Sequence, residues 1–172
     1  RGYTVDRVSD ARAALQPLML RYGFDVIEKD GVLEFRLRDG KNPIVLEAER
    51  LALTSEMDGS FEQLRTAEAE TTGRIRVRFI QSGGDHDIVA EEAVLPDQAT
   101  HAVSASDLPI AMTRAEGRQV AERWLSEAQL ARDTIRFALP PSRLDLGAGD
   151  IVSVAGDQLE GDALYRIDRV EH

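Results

Sequence analysis

The sequence holds three imidazoles, His86, His101 and His172, the side chains that most often serve as bases near neutral pH or as metal ligands. The densest cluster of possible ligands is Asp85, His86 and Asp87. Consecutive residues of an extended chain point to opposite faces, so three in a row rarely converge on one ion, and the cluster reads as a solvated loop. Cysteine is absent, which excludes thiolate nucleophiles, disulfides, zinc knuckles and iron–sulfur sites. Glu68 and Glu70 share one face of an expected strand, a placement compatible with the carboxylate pair of glycoside hydrolysis. That spacing is common and unspecific, and an exposed polar face is the better account of it. Glu91 and Glu92 are adjacent and would diverge across a strand. No serine occupies a G-x-S-x-G elbow. Gly147 and Gly149 form a G-x-G, but the sixth position is Val152, no helix pattern follows, and Asp150 would repel a phosphate. They read as a turn whose glycines allow positive φ. The sequence therefore assigns no catalytic, cofactor-binding or metal-ligating residue.

Binding chemistry is equally sparse. Arg74, Arg76 and Arg78 line one face of an expected strand, yet exposed aromatics, which a single-stranded nucleic acid would stack on, are not interleaved with them. Pairing with acids of this chain or of a neighbour is the plainer expectation. Trp124 falls in the apolar stripe of a helix and reads as a core anchor. Tyr3, Tyr165 and Trp124 are few for a carbohydrate-binding module. With 21 basic and 31 acidic residues the formal charge is −10, which disfavours specific binding to a phosphate backbone. All but two of the cations are arginine, Lys29 and Lys41 being the exceptions. Between Arg78 and Arg114 there is no cation, while Asp85, Asp87, Glu91, Glu92, Asp97 and Asp107 give that stretch a charge of about −6. No run reaches the roughly 18 apolar residues of a membrane span. The start at Arg1-Gly2-Tyr3, with neither initiator Met nor signal sequence, suggests a piece of a longer protein.

These side chains must be positioned by elements that the pattern largely specifies. Ser9 or Asp10 caps a helix with apolar positions Ala11, Ala14, Leu15, Leu18, Met19 and Tyr22, Gly23 stops it, and Pro17 should kink it. Asp30-Gly31 suits a two-residue hairpin turn joining 24–29 to 32–38. Pairing Lys29 with Val32 sets Val26 opposite Phe35 and Phe24 opposite Leu37, one apolar face that should lie on the preceding helix or another sheet. Strands are expected at 44–46, 61–70, 74–80, 88–95, 134–139, 151–154 and 163–170, with 47–54 open between strand and helix. Thr113 and Glu116 form a capping box that opens a second helix, whose stripe is Ala115, Val120, Ala121, Trp124, Leu125, Ala128 and Ala131. Pro140 and Pro141 end the strand that follows. The sum is an α+β fold of mostly antiparallel short strands with two principal amphipathic helices, ending in what looks like a small barrel or sandwich. Each half opens with a helix and continues into strands, although the two halves match too poorly for a duplication.

The order helix, Asp-Gly hairpin, paired strands, helix 113–131, then TIRFALPP, LGAGDIVSV and ALYRIDRV resembles the hub domains of the putative phage tail protein family. The stretch AERWLSEAQLARDTIRFALPPSRLDLGAGDIVSV is especially similar to the gene transfer agent branch of that family. The resemblance covers nearly the whole chain, best over 113–170 and least over 41–70. It implies a hub-like module over residues 1–172, with possible subdomains at 1–110 and 111–172, built of barrel or sandwich parts. It implies a non-enzymatic role at the tail tip of a virion-like particle made in the bacterial cytoplasm. The partners it implies are two further copies in a homotrimer, the tail tube, other tail-tip proteins, and DNA that passes without specific binding. No metal or cofactor is expected. The acidic stretch between Arg78 and Arg114 could then line a lumen along which DNA slides. The competing readings are a glycan-active enzyme using Glu68 and Glu70, and a carbohydrate-binding module at the host cell surface.

Overall fold

The computed structural model describes residues 2–5, 10–29, 31–38, 42–67, 72–83, 85–96, 102–155 and 164–171. The chain divides into two compact units interleaved in sequence, residues 1–23 with 66–132 and residues 24–65 with 133–172. Glu68, Glu70, Asp97, His101 and His172, together with Ser9, Asp30 and Lys41, lie outside the described residues.

The first unit opens with helix α1, Ala11–Tyr22, which begins and ends as its sequence dictates. The Asp10 carboxylate accepts from the Ala13 N–H at 2.6 Å, and Gly23, at φ 68°, donates its N–H to the Met19 carbonyl, a left-handed stop that costs glycine little. Pro17 lies inside the helix. Leu18 and Leu20 pack on the core, whereas Tyr22, expected on the apolar stripe, is exposed with the Arg21 guanidinium 5.2 Å from its ring centre. Strand β5 (Thr72–Gln81) then forms the centre of a three-stranded sheet, antiparallel to β6 (Ile88–Val94) and parallel to β7 (Ala102–Met112). Residues 74–79 alternate strictly, so Ile75, Val77 and Phe79 are buried and the arginines face outward. Strand β7 was not expected: its first half is Ala, Ser and Val around Asp107, too weak an alternation to stand out. Its second half supplies Leu108, Ile110 and Met112 to the core. Pro109 is tolerated because β7 is an edge strand; its carbonyl accepts from Thr4, and Ala111 donates to Gly2. Helix α2, Arg114–Leu130, closes the unit, with both halves of the capping box between Thr113 and Glu116 formed. Val120, Ala121 and Leu125 of α2 sit on the buried face of the sheet, while Ala115 is exposed.

Among the described residues the second unit has three small sheets. Hairpin β1 (Phe24–Lys29) and β2 (Val32–Leu37) has the register expected from the turn, Lys29 with Val32, Val26 with Phe35 and Phe24 with Leu37; Gly31 takes φ 74°. Strand β3 (Ile44–Glu47) runs parallel to β9 (Ile151–Ala155), which is antiparallel to β10 (Leu164–Arg166). Val152, Ser153 and Val154 are buried in succession, the signature of a central strand covered on both faces. Strand β4 (Phe61–Arg65) pairs antiparallel with β8 (Asp133–Phe137). Leu46, Leu51, Leu146, Val152 and Val154 form this unit's core. The open segment 47–54 resolves into a single 3₁₀ turn, Ala48–Arg50, followed by a bridge from Ala52 to Ala138. The last strand is shorter than the expected 163–170, and β4 ends at Arg65 rather than continuing to 70. Among the described residues pairing is antiparallel in four of the six strand pairs, and two α-helices accompany the strands. The fold is α+β.

Candidate functional site

Asp85, His86 and Asp87 form an exposed turn between β5 and β6, in which the Asp87 carbonyl accepts from Gln81 and His86 takes φ 60°. Among the described residues no group of three His, Asp or Glu side chains could hold a metal ion. Glu91 and Glu92 diverge as expected. Glu91 reaches α2, where Arg114 donates to it at 2.8 Å and Arg118 lies at 3.5 Å. Glu92 lies on the opposite face of the sheet, hydrogen-bonded to Arg76 and 4.0 Å from Arg74. Arg78 pairs with Asp107 at 3.4 Å. Two acids, one from each flanking strand, thus offset most of the charge of the three arginines.

The Gly147–Gly149 turn is structural. Asp150 Oδ2 accepts from the Gly147 N–H at 2.9 Å, Gly149 takes φ 83° and donates to Ile167, and the Ile27 side chain fills the place a Cβ at Gly149 would need. A cavity of about 180 Å³ beside β3 is lined by Leu46, Leu51, Leu139, Arg50 and Arg143. Its arginines are taken up by Glu47 at 2.6 Å and Asp145 at 3.4 Å, and no nucleophile paired with a base lines it. The aromatics singled out for sugar stacking are engaged elsewhere. Tyr3 donates to the Ala14 carbonyl, Tyr3 and Trp124 pack on the first core, and Tyr165 packs on the second.

The arrangement that the sequence reading missed lies on the β1–β2 hairpin. On its apolar face Phe35 and Leu37 are each 60% exposed, whereas Phe24 and Val26 are half-buried. The other face is engaged. Arg36 donates to Glu34 at 2.8 Å and to Asp150 at 2.9 Å, and the hydrogen bond to Glu34, with both carboxylates near, raises the guanidinium above its ordinary pKa against the opposing pull of desolvation. Asp25 accepts from Arg38 at 2.8 Å and from Arg166 at 3.2 Å. Glu34, Arg36 and Arg38 alternate with Phe35 and Leu37 along the sequence. That alternation was the available signal; the apolar half was assigned to the inside because burial is its usual fate.

Among the described residues, then, the charged faces are held by ion pairs and the singled-out aromatics by the two cores. The family profile described as Putative phage tail protein matches residues 10–170, and the chain belongs to that family. Among solved structures, a chain of the "Virion of native gene transfer agent (GTA) particle" superposes with a TM-score of 0.85 at 49% sequence identity, over 93% of this chain and 36% of that one. A tail protein from Neisseria meningitidis MC58 matches with a TM-score of 0.61 at 16% identity, over 95% of this chain and 50% of that one, and shares the fold. This chain therefore spans about a third and a half of those two proteins. No curated protein matches it in sequence. No helix among the described residues is long and apolar enough to cross a membrane.

Proposed function

We propose that this chain is a hub-type module at the tail tip of a gene-transfer-agent-like or phage-like particle, where it works by assembly and without catalysis. The observation that carries the proposal is the likeness to a chain of a native gene transfer agent virion at 49% identity over 93% of this chain. In this reading three copies form a ring that joins the tail tube to the other tip proteins, and DNA passes it without specific binding. The electrostatics support the last point. The chain carries −10, and the arginine ladder of β5 faces Glu92 and Asp107, which weakens its hold on phosphates by counterion release.

The test is localisation together with loss of function. Particles from cells whose parent protein carries an epitope beside this module should show the label at the tail tip by electron microscopy, and deletion of the module should leave tails that lack a finished tip. Particles that assemble normally without the module, or a label found only on free protein, would refute the proposal.

A further inference from the structure

Three aspartates in the chain precede a glycine: Asp30–Gly31, Asp39–Gly40 and Asp58–Gly59. At such a pair the main-chain nitrogen of the glycine can reach the side-chain carboxyl of the aspartate, because no Cβ on the second residue crowds the approach. Reaction also needs a carboxyl and an amide nitrogen that nothing else holds, in a stretch able to turn the two together. The pairs differ in this respect. Gly31, at φ 74°, sits in the two-residue turn closed by the pairing of Lys29 with Val32, so attack there requires the end of the hairpin to open. Asp39–Gly40 lies outside the described residues. Asp58 and Gly59 are both exposed, in the stretch 53–60 that leads into β4. Gly59 takes φ 104°, and a Cβ built on it would meet nothing within 4 Å. Among the described residues neither the Asp58 carboxylate nor the Gly59 N–H has a hydrogen bond or an ion pair.

We propose that Asp58 is a site of spontaneous covalent modification, at which the aspartate converts to isoaspartate through a cyclic imide. The Gly59 nitrogen bonds to the Asp58 Cγ, and its proton leaves with the carboxyl hydroxyl as one water. Water then opens the ring at either carbonyl. Addition at Cγ breaks the new bond and restores aspartate. Addition at the former main-chain carbonyl breaks the original peptide bond instead, so the chain continues through Cγ and the old carbonyl carbon carries the free carboxylate. The water lost is regained, so mass and formal charge are unchanged, and neither an enzyme nor an oxidant enters. What changes is the backbone, which becomes one carbon longer. That carbon falls between two attachments to β8: Glu56 pairs with Arg136 at 3.2 Å, and Glu62 lies opposite the same Arg136 in the β4–β8 register. The modified chain therefore carries slack between the Glu56 ion pair and the start of β4. Both members of that pair are exposed, so little stability depends on it, and the product accumulates as a folded variant of the chain.

This site does not rest on the tail-tip reading, and the purified chain tests it. The chain is held at physiological temperature in neutral buffer made with oxygen-18 water, then digested with trypsin in ordinary water. The cleavage pattern puts the two comparable pairs on separate peptides, 51–65 and 30–36, and electron-based fragmentation distinguishes isoaspartate from aspartate in each. In the folded chain the isomer should form at Asp58 at least about tenfold faster than at Asp30, a ratio that about 1.4 kcal/mol of hairpin opening produces. Each isomer molecule should carry one heavy oxygen, taken up when water opens the ring. In guanidinium chloride both pairs lie in an unfolded chain, and the ratio should fall to about twofold or less. That sample also sets the length of incubation, since both peptides must show isomer in it. Equal formation at Asp58 and Asp30 in the folded chain, no isomer at Asp58, or an isomer without heavy oxygen would each overturn the inference. A tenfold ratio that persists in guanidinium would overturn it as well, because the fold would then not be what selects the site.

Discussion

Gly117→Ala separates local propensity from packing, because the two predict opposite signs. On an exposed helix face the change would stabilise α2 by about 1 kcal/mol. Gly117, however, lies on the buried face of α2, and a Cβ built on it falls inside the contact shell of the Phe79 ring, with even the farther Cδ1 only 3.0 Å away. Phe79 is 1% exposed and held among Val77, Leu108 and Val120 in the same core, so the ring has no free volume to enter and the helix must lift from the sheet. Overpacking of this kind costs about 1–3 kcal/mol, and with two ring carbons closer still than Cδ1 the upper end applies, so subtracting the propensity gain leaves a net loss of about 2 kcal/mol. Trp124 is the sole tryptophan and packs on this core, so urea denaturation followed by its fluorescence reads the unit directly. Phe79→Leu should relieve part of the clash, giving a coupling of about 1 kcal/mol or more in a double-mutant cycle. A Gly117→Ala variant as stable as the parent, or more stable, would refute the close approach of α2 to β5.

Three further outcomes follow from the same geometry. Thr113→Ala removes the hydroxyl that accepts from the Glu116 N–H and should lower the Trp124 unfolding free energy by about 1 kcal/mol. Gly23→Ala places a Cβ at φ 68° and 3.3 Å from the Arg123 guanidinium, so it should destabilise by about 1–2 kcal/mol, read as a lower urea midpoint with unchanged slope. Arg36→Ala frees Glu34 and Asp150; because these groups are partly exposed, the loss should stay at about 1 kcal/mol or less, with faster amide exchange over residues 24–37 as its measured sign.

How much of this was legible depends on the range over which each element is specified. Helix α2 and the hairpin register were readable because their determinants are local: a capping box three residues apart and a two-residue connection that fixes every pair from Lys29–Val32 to Phe24–Leu37. Residues 74–80 declared themselves by alternation. Strand β7 did not, since its first half is small and polar and is held by pairing with β5, which no local pattern encodes. The pairing of β4 with β8 joins residues some 70 positions apart, so the interleaving of the two units was equally out of reach. The apolar hairpin face was legible as a face, whereas the exposure of Phe35 and Leu37 on it was not. Periodicity tells which residues lie together, whereas the choice of side was made by ion pairs from Asp150 and Arg166, more than 100 positions further along the chain.

Charge shows the same limit and bears directly on function. Counted along the sequence, the stretch between Arg78 and Arg114 is acidic without relief, and that count is what suggested a wall along which DNA could slide. In space, Arg74 and Arg76 lie on Glu92, Arg78 on Asp107, and Arg114 and Arg118 on Glu91. Antiparallel and parallel neighbours bring the basic strand that precedes the stretch, and the helix that follows it, onto its acids. Half of the six acids are thereby paired within the unit, so the field they project is weaker than their number implies. Any wall that repels phosphate would have to be built from acids left over once these pairs are formed.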